Sequence, residues 1–329
     1  MNRNNIATEI EFIRNNRIAN EVVLIDGPVR GGKSVLGPVL GSFERVEIER
    51  MEPFFDSLPV LYSFNKITKD AAVTMLRKEI DVRLYDSMIS RMINFRFKDR
   101  TSPFFNKNIF KYIKRMFFED GNSVLERIKK EKPIFQVMTH DMLQILDLYL
   151  EAFGKGLRVI EMVRHPVDLV YSNHNRGLGT SIGKNPRFWQ LAIKSEEDDI
   201  PYYASGWESE FLKETPLNRV IKIVCQLVKQ VRDEYDKLPE TRKKQVIIVP
   251  YEKFLISPYK YIEKIESFID TKRTKSTAKI LKKLKLPNEI DPNNRKSKLK
   301  SIEESASEEC LQILFDLSKE YEDRYLKFS

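Results

Sequence analysis

The chain has 329 residues, 41% of them hydrophobic, which is enough for a substantial core and excludes wholesale disorder. Lys and Arg number 57 against 48 Asp and Glu, a net charge of +9, so the balance favours anionic partners such as nucleotide phosphates. Two cysteines, Cys225 and Cys310, are too few for a disulfide scaffold or a zinc cluster, and no stretch reaches the roughly 18 apolar residues of a membrane span; a cytoplasmic chain is expected.

"EVVLID" at 21–26 is a β-branched apolar run that predicts a strand. It leads into "GPVRGGKS" at 27–34, which fits the phosphate-loop pattern G-x-x-x-x-G-K-[ST]. The helix that should follow, "SVLGPVLGSFE", is weakened by Gly37 and Pro38. "RVEIER" at 45–50 alternates and predicts a second strand, and residues 69–130 carry helical periodicity through Met75, Ile80, Leu84, Met88 and Met92.

"KPIFQVMTH" at 132–140 predicts a buried strand followed by helix 141–153. "GLRVIEMVRHP" at 156–166 predicts another strand, halted where His165 meets Pro166. Residues 177–215 read as an irregular excursion rich in Gly, Pro, Ser and aromatics. After it come an amphipathic helix at 217–238, a strand in "KKQVIIVPYEKF", a helix at 257–270, and a Lys-rich, mostly helical region from 271 to 329. Short apolar strands alternating with helices predict an α/β fold, a central parallel sheet with helices on both faces, in one elaborated domain spanning 1–329.

A glycine loop between strand and helix offers backbone N–H groups and a helix N-terminus to a phosphate. Lys33 adds a charge there and Ser34 a hydroxyl. A nucleoside triphosphatase also needs an acidic strand end for magnesium. The strand ends here are "VMTHD", "EMVRHP" and "IVPYE", of which only Asp141 is a candidate. The strand end at "RVIEMVRHPVDLVYS" instead supplies Arg164, a planar fork for phosphate, and Ser172 eight residues on.

These motifs, in this order, resemble those of the PAPS-dependent sulfotransferases, a family related in fold to the P-loop kinases. "VRGGKS" at 29–34 is similar to the family's P-[KR]-S-G-T-T loop, with Arg30 on its basic position. "RHPVDLVYS" matches R-[ND]-P-x-D followed by Ser through Arg164, Pro166, Asp168 and Ser172. "MTHD" resembles the strand end that carries the catalytic base of the cytosolic branch, and "NRKSKLK" at 294–300 resembles a late basic loop. The resemblance covers about residues 20–300 and departs from the pattern at Lys33, where the family has Thr, at Pro28, one place early, and at Met138, where the cytosolic branch has Lys.

The resemblance implies sulfuryl transfer from PAPS (3′-phosphoadenosine-5′-phosphosulfate) to a hydroxyl, without a required metal. It implies a donor site of Arg30, Gly31, Gly32, Lys33, Ser34, Arg164, Ser172, Arg295 and Lys296, and a catalytic set of His140, Lys33 and Arg30. Some carbohydrate branches use a Glu base, so Glu47, Glu49 and Glu52 are alternatives to His140. Arg187, Trp189, Tyr202, Tyr203 and Trp207 in the excursion suit a sugar ring bearing acidic groups, so a glycan acceptor is expected and nucleic acid is not. Gly32-Lys33-Ser34 keeps open a P-loop kinase that transfers phosphate from ATP.

Overall fold

A computed structural model describes residues 10–106, 109–195 and 198–327. Strands β1 (Glu21–Asp26), β2 (Arg50–Met51), β3 (Ile134–Met138), β4 (Leu157–Val163) and β7 (Val246–Pro250) form one parallel sheet in the order β2-β3-β1-β4-β7. Strands β5 (Ala192–Lys194) and β6 (Asp199–Pro201) make a separate antiparallel hairpin inside the predicted excursion. The helices that matter for the site are α1 (Lys33–Leu40), α2 (Phe54–Ser63), α3 (Lys69–Met88), α4 (Ile109–Arg115), α5 (Leu146–Phe153), α6 (Pro166–His174), α7 (Pro216–Lys237), α8 (Tyr251–Ile256), α9 (Pro292–Glu303) and α10 (Glu308–Tyr321).

Side-chain alternation along the strands divides the core into two layers. Val22, Leu24, Phe135, Val137 and Val159 face α2, α3 and α5. Val23, Ile25, Ile134, Ile160 and Met162 face α1, α8 and the helices Pro258–Phe268 and Lys275–Lys283. The result is the predicted three-layer α/β architecture. A third apolar cluster joins α6, α7 and α10 to Ile200, Tyr203 and Phe211 of the excursion.

Besides the hairpin of β5 and β6, two elements differ from the sequence expectation. The segment 45–50 pairs as a strand only at its end, with a single bridge from Val46 to Ile134, because the Gln136 side chain donates to the Glu47 carbonyl (2.8 Å) in place of ladder bonds. The expected long helical stretch at 69–130 is broken after α3, and only α4 and Asn122–Glu131 continue it. Helix α1 forms despite Gly37 because a side chain there would run into the buried Glu49 carboxyl. Glycine at this position is spacing rather than weakness.

Candidate functional site

The glycine loop after β1 and the carboxyl ends of β2 and β3 open on a cleft of about 430 Å³, lined by Val29 to Ser34, by Met51, Asp56, Met138 and His140, and by residues 186–191 with Tyr202 and Tyr203. Gly32 adopts φ +102° with the Tyr251 ring packed where a side chain would project, so both its conformation and its space demand glycine. Arg30 also sits in the left-handed region, at φ +68°, a strained state that persists only when the surroundings over-determine it.

Those surroundings are the β4–α6 turn. Arg164 Nη1 donates to the Arg30 carbonyl (2.7 Å), Asn173 Nδ2 donates to the Val29 carbonyl (3.1 Å), and Arg30 Nε donates to Ser172 Oγ (2.8 Å). The glycine loop and the Arg164–Ser172 segment are thus locked together. The Arg164 guanidinium lies 4.8 Å from the Tyr251 ring centroid. Partial burial, with Arg176 and Arg164 close by, lowers the pKa of the Arg30 guanidinium.

Lys33 is placed differently from its sequence role. Its ammonium is 3% exposed and donates to the carbonyls of Gly27 (2.5 Å) and Pro28 (2.7 Å). Burial lowers its pKa, against the opposing pull of Asp141, Asp26 and Glu161. Lys33 and Ser34 open α1 at the cleft, and Arg100 Nη1 donates to the Ser34 carbonyl (3.2 Å) and hydroxyl (3.3 Å). Asp141, three residues past the end of β3, is 1% exposed; its amide donates to the Gly27 carbonyl (3.3 Å), while its two carboxylate oxygens have no hydrogen-bond partner among the described residues. It faces a small internal cavity of about 40 Å³ shared with Glu161, and burial pushes its pKa up to about 7.

His140 is built into the cleft by its neighbours. Thr139 Oγ1 and the Leu143 amide both donate to the Asp26 carboxylate, at 2.9 and 2.8 Å, and Asp141 takes φ +58° to turn the chain. Asp56 in the first turn of α2 accepts from the His140 amide (2.9 Å), and its second oxygen lies 2.9 Å from His140 Nδ1. The Tyr149 hydroxyl donates to the Phe55 carbonyl and holds α2 in place. A carboxylate only accepts, so Nδ1 carries the proton and Nε2 is left as the basic nitrogen.

The alternative glutamates lie away from the cleft. Glu47 is clamped by Arg115 Nη1 (2.7 Å), Lys111 (2.8 Å) and the Tyr112 hydroxyl (2.8 Å). Glu49 is buried against α1, and Glu52 faces Arg50 (3.9 Å) and Arg83 (3.7 Å).

A second concavity, behind the Arg164 turn, is lined by Asp168, Tyr251, Glu252, Arg295 and Lys298. Arg295 Nε and Lys298 Nζ donate to the two Asp168 oxygens, at 3.0 and 2.6 Å. Lys296 is exposed and does not join them. Positions 295 and 298 share a face of α9, and 296 lies about 100° round it, so a helical reading of 292–303 carries the signal for Lys298.

Of the expected acceptor residues, Arg187, Trp189, Tyr202 and Tyr203 line the cleft, together with Arg176, which the sequence reading missed. Trp207 does not, because its indole donates to the Tyr203 carbonyl (3.1 Å) and packs on Phe211 in the third cluster. Asp56 was also missed, since nothing in "EPFFDSLP" marks it and its partner lies 84 residues away.

The profile of the sulfotransferase domain family matches residues 83–309. That span takes in His140, the Arg164–Ser172 segment and Arg295, and begins after the glycine loop. No curated protein matches. Among solved structures, the sulfotransferase domain of the Synechococcus PCC 7002 olefin synthase aligns over 95% of this chain and 98% of its own, at 11% identity and a TM-score of 0.47. The sulfotransferase STF9 of Mycobacterium avium aligns over 95% of this chain and 78% of its own, at 13% identity and a TM-score of 0.46.

Proposed function

The chain belongs to the sulfotransferase family, and from that premise we propose that it moves a sulfuryl group from PAPS to the hydroxyl of an acceptor bound beside His140. The observation that carries this reading is the interlock of Arg30 with Ser172 and Arg164. It ties the glycine loop to the Arg164–Ser172 segment, which supports a single site for a nucleotide with phosphates on both its 5′ and 3′ oxygens.

In this reading the amides of Gly31 to Ser34 and the Arg30 side chain receive the 5′-phosphate, and Arg164 and Ser172 receive the 3′-phosphate, with Arg295 set behind them on Asp168. Transfer is an in-line displacement. The acceptor oxygen gives its proton to His140 Nε2 and bonds to sulfur, while the bond from sulfur to the bridging phosphate oxygen breaks. Charge grows on the departing phosphate, where preorganised amides and Arg30 stabilise it. Lys33 contributes its backbone amide, because its ammonium would have to leave two carbonyls and a buried site to touch the ligand.

For the acceptor we favour a carbohydrate bearing acidic groups. Trp189, Tyr202 and Tyr203 offer ring faces, and Arg176 and Arg187 offer cations at the same wall. Kinase activity on ATP is the competing reading, and one experiment separates the two. Thermal-shift titration should show stabilisation by 3′-phosphoadenosine 5′-phosphate and much less by Mg·ATP. Arg164→Ala should weaken the former by roughly 2–5 kcal/mol and erase its advantage over the ligand lacking the 3′-phosphate. Stabilisation by Mg·ATP alone would sink the proposal, and so would full 3′-phosphate discrimination by the variant.

A further inference from the structure

We propose that residues 90–106 and 109–118 dock this protein on the surface of an anionic lipid bilayer. The described residues there hold seven Lys or Arg and a single acid, Asp99; Arg91, Lys111 and Arg115 pair with carboxylates, and Arg96, Lys98 and Lys114 are exposed. Helix α4 is anchored on one side and bare on the other. Its inner side buries Tyr112 and Arg115, which hold Glu47 through the tyrosine hydroxyl and both guanidinium Nη atoms.

The outer side exposes Phe110 by 82%, Ile113 by 41%, Met116 by 57% and Phe117 by 83%. Helical turns continue past Arg115, with the Met116 amide donating to Tyr112 and the Phe117 amide to Lys114. Positions 110, 113 and 117 therefore fall in one stripe. Ser90 Oγ donates to the Tyr112 carbonyl (2.5 Å) and ties the turn before Met92, itself 64% exposed, to α4.

Large aromatic side chains are rarely left this bare on a soluble surface. Here they form one stripe on a helix held from its inner side and are accompanied by the exposed cations Arg96, Lys98 and Lys114. Aromatic and aliphatic tips with lysines around them suit the headgroup boundary of an acidic membrane, where the tips enter the acyl region and the cations meet lipid phosphates. A stable dimer needs about 800 Å² from each copy, more than one short stripe supplies. Arg50 donates to the Met92 carbonyl (3.3 Å), and Met51 next to it lines the cleft. A docked molecule would thus hold its cleft mouth near the lipid surface.

The test is co-sedimentation of the full chain with phosphatidylcholine vesicles, with and without phosphatidylserine. Binding should require phosphatidylserine and weaken with salt. It should fall about tenfold or more in Phe110→Ser with Phe117→Ser, and likewise in Lys98→Glu with Lys114→Glu. Thermal stability and nucleotide-induced stabilisation should stay unchanged in both pairs, since Tyr112, Arg115 and the cleft are untouched. No binding to acidic vesicles, or binding indifferent to both pairs, overturns the proposal. So does a dimer that Phe117→Ser dissociates while vesicles are ignored, because the stripe would then be a contact between copies of this chain.

Discussion

His140 owes its place in the cleft to Thr139 and Asp141 beside it and to Asp56 on another layer. If the ring is the base, its useful nitrogen is Nε2, and the proton on Nδ1 is held there by the Asp56 carboxylate. Asp56→Asn keeps the shape but can present an N–H to Nδ1, which drives the proton to Nε2 and removes the acceptor from the cleft. We expect kcat to fall about 10²-fold or more in both His140→Ala and Asp56→Asn, with donor affinity nearly unchanged. The low-pH limb of the rate profile should disappear in His140→Ala, and the double variant should be little worse than either single one, because the pair acts as a unit. Near-normal kcat in Asp56→Asn alone would remove Asp56 from this role. Near-normal kcat in His140→Ala, with loss on changing Glu49 or Glu52, would move the base to a carboxylate.

Helix α1 carries a different kind of test. Glu49 lies buried against the gap left by Gly37, and its Oε1 has no hydrogen-bond partner among the described residues. Burial pushes its pKa up to about 8, with Lys33 and Arg100 pulling the other way. The folded chain therefore holds this proton more tightly than the unfolded one. The stabilisation is complete below the ordinary carboxylate range and is lost as pH rises from there through about 8. Glu49→Gln removes that dependence, so its advantage over the wild type should grow between about pH 5 and pH 9, to at most roughly 3–5 kcal/mol. A melting-temperature difference that stays flat across this range would show that Glu49 is already paired and charged in the fold. Strands β1, β3, β4 and β7, helix α7 and the Arg164 turn were legible because their signals are local in sequence, whereas the hairpin of β5 and β6 was not. Glu49, Asp56 and the short pairing of β2 were not, since each depends on a partner brought close only by the fold.

Across the whole molecule, the last two helices close the site from behind. Lys298 and Arg295 of α9 hold Asp168 in the first turn of α6, four residues after Arg164. Tyr321 at the end of α10 donates to Glu252 Oε2 (2.5 Å), whose other oxygen accepts from the His165 amide (3.0 Å). The Lys-rich C-terminal region was legible as helix and as charge, but its service to the Arg164 turn was not, because the two lie some 130 residues apart. If the donor sits on Arg164 and Ser172, opening α9 or α10 must loosen a bound ligand, and each opening then costs the binding free energy as well. At a hundredfold excess over Kd that is about 2.7 kcal/mol, or close to 100-fold slower amide exchange. Addition of 3′-phosphoadenosine 5′-phosphate should therefore slow exchange in 27–34, 164–172, 292–303 and 308–321. Helix Asn122–Glu131 packs on the opposite core layer and should gain protection only where it opens with the whole chain. If the ligand slows exchange at 27–34 while 292–321 stays unchanged, the C-terminal helices are not part of the donor site, and Arg295 and Lys298 merely brace α6.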